Sequence, residues 1–362
     1  MNSVGQGPTQ APEPTLAAGP LFVVSMWRSG SSLLYALLNK HPEVALMFEA
    51  DLMLLRPLFF KPKAFCDWAE RWEFWSAAFN RHGLSTADVD DGISDFHTAF
   101  TAVHQLFARR HGATIWGAKS PNYYDHLNQM ASEFPEARFI IVWRDPNATV
   151  NSILRAASLG NSYFGRKGAA LCGLLGYEVF KKECDRLITR GKPVCQINYE
   201  DLISDTPAAM RQVCEFLRIP YDDSLSNLEG ADRSAILNGR HHANIKGNKI
   251  VQGSRPELAN VALRAKISRY VAWWHQLYGA DWPPYPQPAD HPAQPPNRFS
   301  RLLDWTLYRV LRTGDRISPL IFSFIPIPLL RRYRELKKRR REANGIVQPG
   351  PVDWEGSSGR AR

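Results

Sequence analysis

The 362-residue chain is 44% hydrophobic, enough to bury one large core or two of ordinary size. Its net charge of +10 is uneven: residues 1–289 hold 30 basic and 28 acidic side chains, whereas residues 290–362 hold 15 and 7. A basic excess confined to a tail argues against a nucleic-acid partner for the body.

The five cysteines (Cys66, Cys172, Cys184, Cys195, Cys214) form no CxxC pair. They read as reduced core residues of a cytoplasmic protein rather than a disulfide or zinc framework. Residues 1–20 are rich in Pro, Gly, Thr and Ala, with neither a basic start nor an apolar run. They read as a disordered leader, not a signal peptide or anchor.

From Leu21 onward, apolar strand-like runs alternate with segments of helical spacing. Leu21–Ser25 is the first run, followed by a Ser/Gly-rich loop and a helix over Ser31–Asn39. Further strands are expected at Thr114–Ala118, Arg138–Trp143 and Val194–Asn198, the last leading to a helix capped at Asp205 or Thr206 with Pro207 in its first turn. Such alternation predicts an α/β fold, a mainly parallel sheet covered on both faces, with ligands beyond the carboxyl ends of the strands. A helical insertion is expected over residues 62–111, where Trp68, Trp72, Trp75 and Phe79 follow the spacing of a helix face. That stripe is either core or an acceptor platform.

Two segments carry anion chemistry. Ser25-Met-Trp-Arg-Ser-Gly-Ser-Ser32 joins strand to helix. A helix start offers backbone amides and positive dipole; Gly30 admits a close anion, Ser29, Ser31 and Ser32 add hydroxyls, and Arg28 adds a charged fork. The ATP-binding version of such a loop has lysine immediately after the glycine, where this chain has Ser31. In the second segment, Arg144-Asp145-Pro146 follows a buried strand, and Ser152 lies eight residues after Arg144. Arg144 can pair bidentately with a phosphate while Ser152 donates a hydroxyl. A surface ion pair is the alternative for Arg144.

Together these motifs resemble the sulfotransferase family that uses 3′-phosphoadenosine 5′-phosphosulfate (PAPS), in its bacterial and Golgi carbohydrate branches. The resemblance rests on Arg28-Ser-Gly-Ser-Ser32, Trp116-Gly-Ala-Lys-Ser-Pro121, Arg144-Asp-Pro146 with Ser152, Tyr199-Glu-Asp-Leu202 and Lys246-Gly-Asn248, in that order. It covers about residues 21–279. It implies a P-loop-NTPase-like sheet, with Arg28, Ser29, Gly30, Ser31 and Ser32 on the 5′-phosphosulfate and Arg144 and Ser152 on the 3′-phosphate. Lys246, Gly247 and Asn248 complete the nucleotide pocket by the same resemblance. The cytosolic small-molecule branch has lysine where Arg28 stands, so phenol and steroid acceptors are less favoured. The acceptor is left open among a carbohydrate, a glycolipid, a peptide and a small hydroxylated metabolite, with a hydroxyl or an amine receiving the group.

Positioning and electrostatics should dominate such a transfer, with fixed cations standing in for a metal ion. Glu49 is the candidate general base: a carboxylate held beside Phe48 is suited to taking a proton, and it matches a glutamate many relatives carry after the phosphate loop. His41 and His242 are alternatives. Lys119 is the candidate stabiliser of developing charge, with a salt bridge as the alternative. A nucleotide-dependent phosphotransferase and a noncatalytic membrane or nucleic-acid binding module are the competing readings.

The organisation expected is a leader over 1–20, a catalytic domain over 21–282, a Pro-rich linker over 283–297 and a basic amphipathic extension over 298–362. Within the extension, Leu303, Leu307 and Val310 fall on one helix face with Arg301, Arg309 and Arg312 opposite. The uncharged run 317–330 is too short to span a bilayer, and residues 331–341 hold eight bases and one acid. This order suits peripheral binding to an anionic membrane surface, or packing of the apolar part on the body.

Overall fold

The computed structural model describes residues 15–53, 95–161, 163–236, 247–250, 260–279 and 294–325, with isolated positions elsewhere. Five strands form one parallel sheet: β1 (Leu21–Ser25), β2 (Val44–Phe48), β3 (Ile115–Lys119), β4 (Arg138–Trp143) and β5 (Val194–Asn198), in the order β2-β3-β1-β4-β5. The described helices are α1 (Ser31–Leu38), α2 (Phe96–Arg110), α3 (Leu127–Glu133), α4 (Pro146–Ser158), α5 (Ala169–Thr189), α6 (Tyr199–Ser204), α7 (Thr206–Leu217), α8 (Val261–Tyr278) and α9 (Arg298–Phe324). This is the α/β class that the alternating pattern predicts.

The period of two along each strand divides the core into two layers. Phe22, Val24, Met47, Trp116, Phe139 and Ile141 face α2 to α5 on one side. Leu21, Val23, Leu46, Ile140, Val142 and Ile197 face α1 and α7 on the other. All eight residues of α1 are buried, so a helix without a polar stripe has nowhere else to go. Asp205 caps α7 by accepting from Ala208 N, with proline in the first turn, as the sequence predicts. Cys172, Cys184, Cys195 and Cys214 are buried thiols.

The leader expected over 1–20 is tied down at its end. Ala17 N donates to Thr114 O at 2.8 Å, and Trp116 Nε1 donates to Ala17 O at 2.7 Å.

The C-terminal extension gives a correction. Its helix is 27 residues long, and Arg309 does not share a face with Arg301 and Arg312. Arg301 stacks on Trp273 at 3.7 Å, Asp304 pairs with Lys266 at 2.5 Å and accepts from Tyr270 Oη, and Arg312 pairs with Asp125 at 2.9 Å. The polar and aromatic face therefore docks, while Phe299, Leu302, Leu303, Leu307 and Val310 are exposed with Arg309 beside them. No described helix is long and apolar enough to cross a membrane.

Candidate active site

Parallel strands deliver their carboxyl ends to one edge. The pairings Ser25 with Val142, Val23 with Lys119, Phe48 with Lys119 and Trp143 with Asn198 set that edge. The residues that follow each strand are therefore neighbours: Met26–Gly30, Glu49–Asp51, Ser120–Asn122, Arg144–Asp145 and Tyr199–Glu200.

The first anion segment wraps the start of α1. Gly30 is the N-cap at φ +90°, and a Cβ there would lie 2.0 Å from Tyr199 Cδ2. Only glycine therefore allows the loop to sit on the Tyr199 ring. Arg28 also has positive φ, at 65°, a conformation unusual outside glycine. Its Nε donates to Ser152 Oγ at 3.2 Å. Ser25 Oγ and Ser31 Oγ are 2.8 Å apart, and buried Ser29 lies 3.4 Å from Thr149 Oγ1 and 3.3 Å from Tyr177 Oη.

The second segment joins the first directly. Arg144 Nη1 donates to Arg28 O at 2.7 Å, and its guanidinium lies 4.4 Å from the Tyr199 ring centre. Tyr177 Oη donates to Arg144 O at 2.7 Å and is 2.7 Å from Thr149 Oγ1. Glu200 Oε1 accepts from Asp145 N at 3.3 Å; burial raises the pKa of this carboxyl. The surface-ion-pair alternative for Arg144 does not describe this part-buried, backbone-bound guanidinium.

Two guanidiniums here share a poorly solvated site. Burial, then the charge of Arg144, lowers the pKa of Arg28 to about 10, against the opposing pull of Glu49 and Tyr199. Arg144 Nε is buried without a hydrogen-bond partner. A buried donor left unpaired is costly, and a polyanion would satisfy it and reverse the repulsion between the arginines. The residues present thus fit a phosphorylated ligand.

On the β2–β3 side lies a carboxylate and amine cluster. Lys119, only 1% exposed, donates to Glu49 Oε1 at 2.6 Å and to Ser32 Oγ at 3.0 Å, with its Nζ 4.2 Å above the Phe48 ring. Burial lowers its pKa, with Glu49 pulling the other way. Glu49 has φ 47° and Asp51 φ 54°, so the chain after β2 curls back over the strand ends. Asp51 accepts from Ser120 Oγ and from Asn122 Nδ2, the latter at 2.8 Å. Its pKa is raised to about 6, first by burial and then by Glu49.

Not every predicted residue joins this cluster. Gly247 and Asn248 are exposed and meet Arg233, which donates to Gly247 O at 2.8 Å and to Asn248 Oδ1 at 3.3 Å. Lys246, His242, Trp68, Trp72, Trp75 and Phe79 lie outside the described residues. His41 is a correction to the alternative base. Its Nδ1 accepts from Glu43 N, and its Nε2 is 3.0 Å from Pro220 O. Both ring nitrogens thus meet backbone groups of the loops before β2 and after α7, at the amino end of β2 rather than at its carboxyl end. Tyr177, Thr149, Asp51, Ser120 and Asn122 were missed as site residues. Ser120 falls inside the motif from Trp116 to Pro121 and Asp51 lies two residues after Glu49, so their place after strands was a usable signal. Tyr177, in the middle of α5, carried none.

Residues 20–223 match the family model described as the sulfotransferase family. The chain is 27% identical over 211 residues to protein-tyrosine sulfotransferase A of Caenorhabditis elegans, covering 58% of this chain and 52% of that protein. It is 26% identical over 214 residues to protein-tyrosine sulfotransferase 1 of Danio rerio, covering 58% and 56%. The chain thus spans about half the length of the curated relatives it matches. Among solved structures, the sulfotransferase domain from the curacin biosynthetic pathway is similar at a TM-score of 0.46 and 17% identity, over 71% of this chain and 99% of that one. The family match takes in more than half of the chain, all five strands and both anion segments, and on that ground the chain belongs to the sulfotransferase family.

Proposed function

We propose that this protein transfers a sulfuryl group from PAPS to a hydroxyl of an acceptor. The observation that carries this reading is the contiguity of the two anion segments, with Arg28 on Ser152 and Arg144 on the Arg28 carbonyl. One nucleotide phosphorylated at both 3′ and 5′ positions matches such a paired site better than a linear triphosphate. In this reading Arg28 to Ser32 hold the 5′-phosphosulfate, and Arg144 and Ser152 hold the 3′-phosphate.

PAPS supplies an activated sulfuryl group: an acceptor oxygen bonds to sulfur as the sulfur–oxygen bond to the 5′-phosphate breaks, leaving adenosine 3′,5′-bisphosphate. Glu49 takes the acceptor proton. Lys119 stands between Glu49 and Ser32, so its charge serves both the base and the donor loop, where negative charge accumulates. Tyr177 and Tyr199 fix Arg144, whose Nη1 in turn holds the Arg28 carbonyl, which lowers the reorganisation needed on binding.

The acceptor class expected is a carbohydrate, glycolipid, peptide or small hydroxylated metabolite; the names of the two tyrosine-sulfating relatives add a tyrosyl hydroxyl. Peripheral membrane binding is supported by one observation. The face of α9 left outward carries Phe299, Leu302, Leu303, Leu307 and Val310, a stripe that enters a lipid interface while the basic run 331–341 meets lipid phosphates.

The test is transfer from ³⁵S-labelled PAPS to a panel of tyrosyl peptides, oligosaccharides and glycolipids. Label on one acceptor class, lost in Glu49→Gln, supports the reading. Phosphate transfer from Mg·ATP to the same panel overturns it.

A further inference from the structure

The long C-terminal helix reaches the donor loop itself. Arg312 of α9 is buried, with 9% of its side chain exposed, and pairs with an Asp125 carboxylate that is 1% exposed. The same guanidinium lies 5.4 Å from the Trp27 ring centre and 5.0 Å from that of Tyr124. Tyr124 Oη is 2.9 Å from Tyr308 Oη, one helical turn back on α9. Trp27 immediately precedes Arg28, is 2% exposed, and donates from Nε1 to Asn122 Oδ1 at 2.9 Å. Asn122 in turn donates to Asp51. A continuous set of contacts therefore runs from α9 to Trp27 in the donor loop, next in sequence to Arg28, and on to Asp51 after β2.

A cation over an indole face is attractive, and more so when both are withdrawn from water. Here it acts on the residue immediately before Arg28, whose positive φ leaves the loop dependent on its surroundings. We propose that Arg312 is a positioning residue for donor binding: it clamps Trp27 and so holds the Arg28 loop in the shape that receives the phosphosulfate. The inference rests on the donor site proposed above. It makes α9 a working part of the catalytic unit, with its inner face on the donor loop and its outer face turned away.

The experiment is calorimetric titration of the full chain with adenosine 3′,5′-bisphosphate, using wild type, Arg312→Met, Arg312→Lys, Trp27→Leu and the Arg312→Met/Trp27→Leu double variant. Asp304→Asn is the control, because it loosens the same helix at Lys266 and Tyr270 without touching Trp27. Arg312→Met should raise the bisphosphate Kd about tenfold, Arg312→Lys less, and Asp304→Asn less than twofold. The double variant should bind no worse than Trp27→Leu alone, since both changes break one coupling. With an acceptor in hand, Arg312→Met should raise the KM for PAPS and leave kcat at saturating donor nearly unchanged. Wild-type affinity in a folded Arg312→Met protein overturns the proposal, as does an equal loss in Asp304→Asn, which would reduce Arg312 to a docking contact. Arg312→Lys, which keeps a cation beside Asp125, serves if Arg312→Met does not fold. Failure of the wild type to bind the bisphosphate would instead sink the donor-site reading.

Discussion

Gly30→Ala is the sharpest perturbation of the donor loop. Two costs can be read from the geometry. An L-residue held at φ +90° loses about 1–2 kcal/mol relative to glycine. The added methyl would stand 2.0 Å from Tyr199 Cδ2 and 2.5 Å from Cε2, so the ring has to retreat by more than an ångström. Overpacking of that kind costs about 1–3 kcal/mol, giving roughly 2–5 kcal/mol in all. The retreat also withdraws the face on which Arg144 rests, so bisphosphate affinity should fall with stability. Urea denaturation and bisphosphate titration of Gly30→Ala, Tyr199→Ala and the double variant measure both effects. The double variant should be more stable than the sum of the singles predicts, by about 1–3 kcal/mol, because removing the ring removes the collision but not the strain in φ. Strict additivity, or wild-type bisphosphate affinity in Gly30→Ala, would refute this account of why glycine stands there.

Arg144→Ala should raise the bisphosphate Kd about tenfold or more, whereas Glu49→Gln should leave it within about twofold and lower kcat by about 10²–10⁴; titration and ³⁵S transfer separate the two. Asp51 gives a pH dependence. Its pKa of about 6 in the fold exceeds the unfolded value of about 3.9, so the fold binds the proton more tightly. The resulting stability is present below the unfolded value and is lost as pH rises through about 6, up to about 3 kcal/mol. Asparagine tolerates positive φ and can keep both side-chain contacts, so the melting temperature of Asp51→Asn minus that of wild type should increase from pH 5 to pH 8; a constant difference would contradict the burial of this charge. For the tail, Leu303→Ser/Leu307→Ser should reduce cosedimentation with anionic liposomes while changing the melting temperature little, because both side chains are exposed. Undiminished cosedimentation would remove the outer face of α9 from the membrane reading.

Four of the five strands were legible because they are short, mostly apolar runs. β1, β4 and β5 have the boundaries that the sequence implies, and β3 is displaced by one residue. The two arginines were legible because each follows a strand, and Ser152, inside α4, because of its spacing of eight residues from Arg144. Tyr177 was not, since a tyrosine in a helix that packs on the sheet looks like core until α4 brings Thr149 and Arg144 against its hydroxyl. The orientation of α9 was not legible for a different reason. Periodicity says that the two faces differ, but not which one meets the body. Asp304, Tyr308 and Arg312 dock because Lys266, Tyr270, Tyr124 and Asp125 offer them specific partners, and those partners are distant in sequence.

The central claim is that the paired anion site receives a nucleotide phosphorylated at both 3′ and 5′ positions, and thermal unfolding tests it without an acceptor. With EDTA present, adenosine 3′,5′-bisphosphate should raise the melting temperature of the full chain, by more than an equal concentration of ATP with magnesium. Equal or greater stabilisation by Mg·ATP would contradict the account and favour phosphoryl transfer.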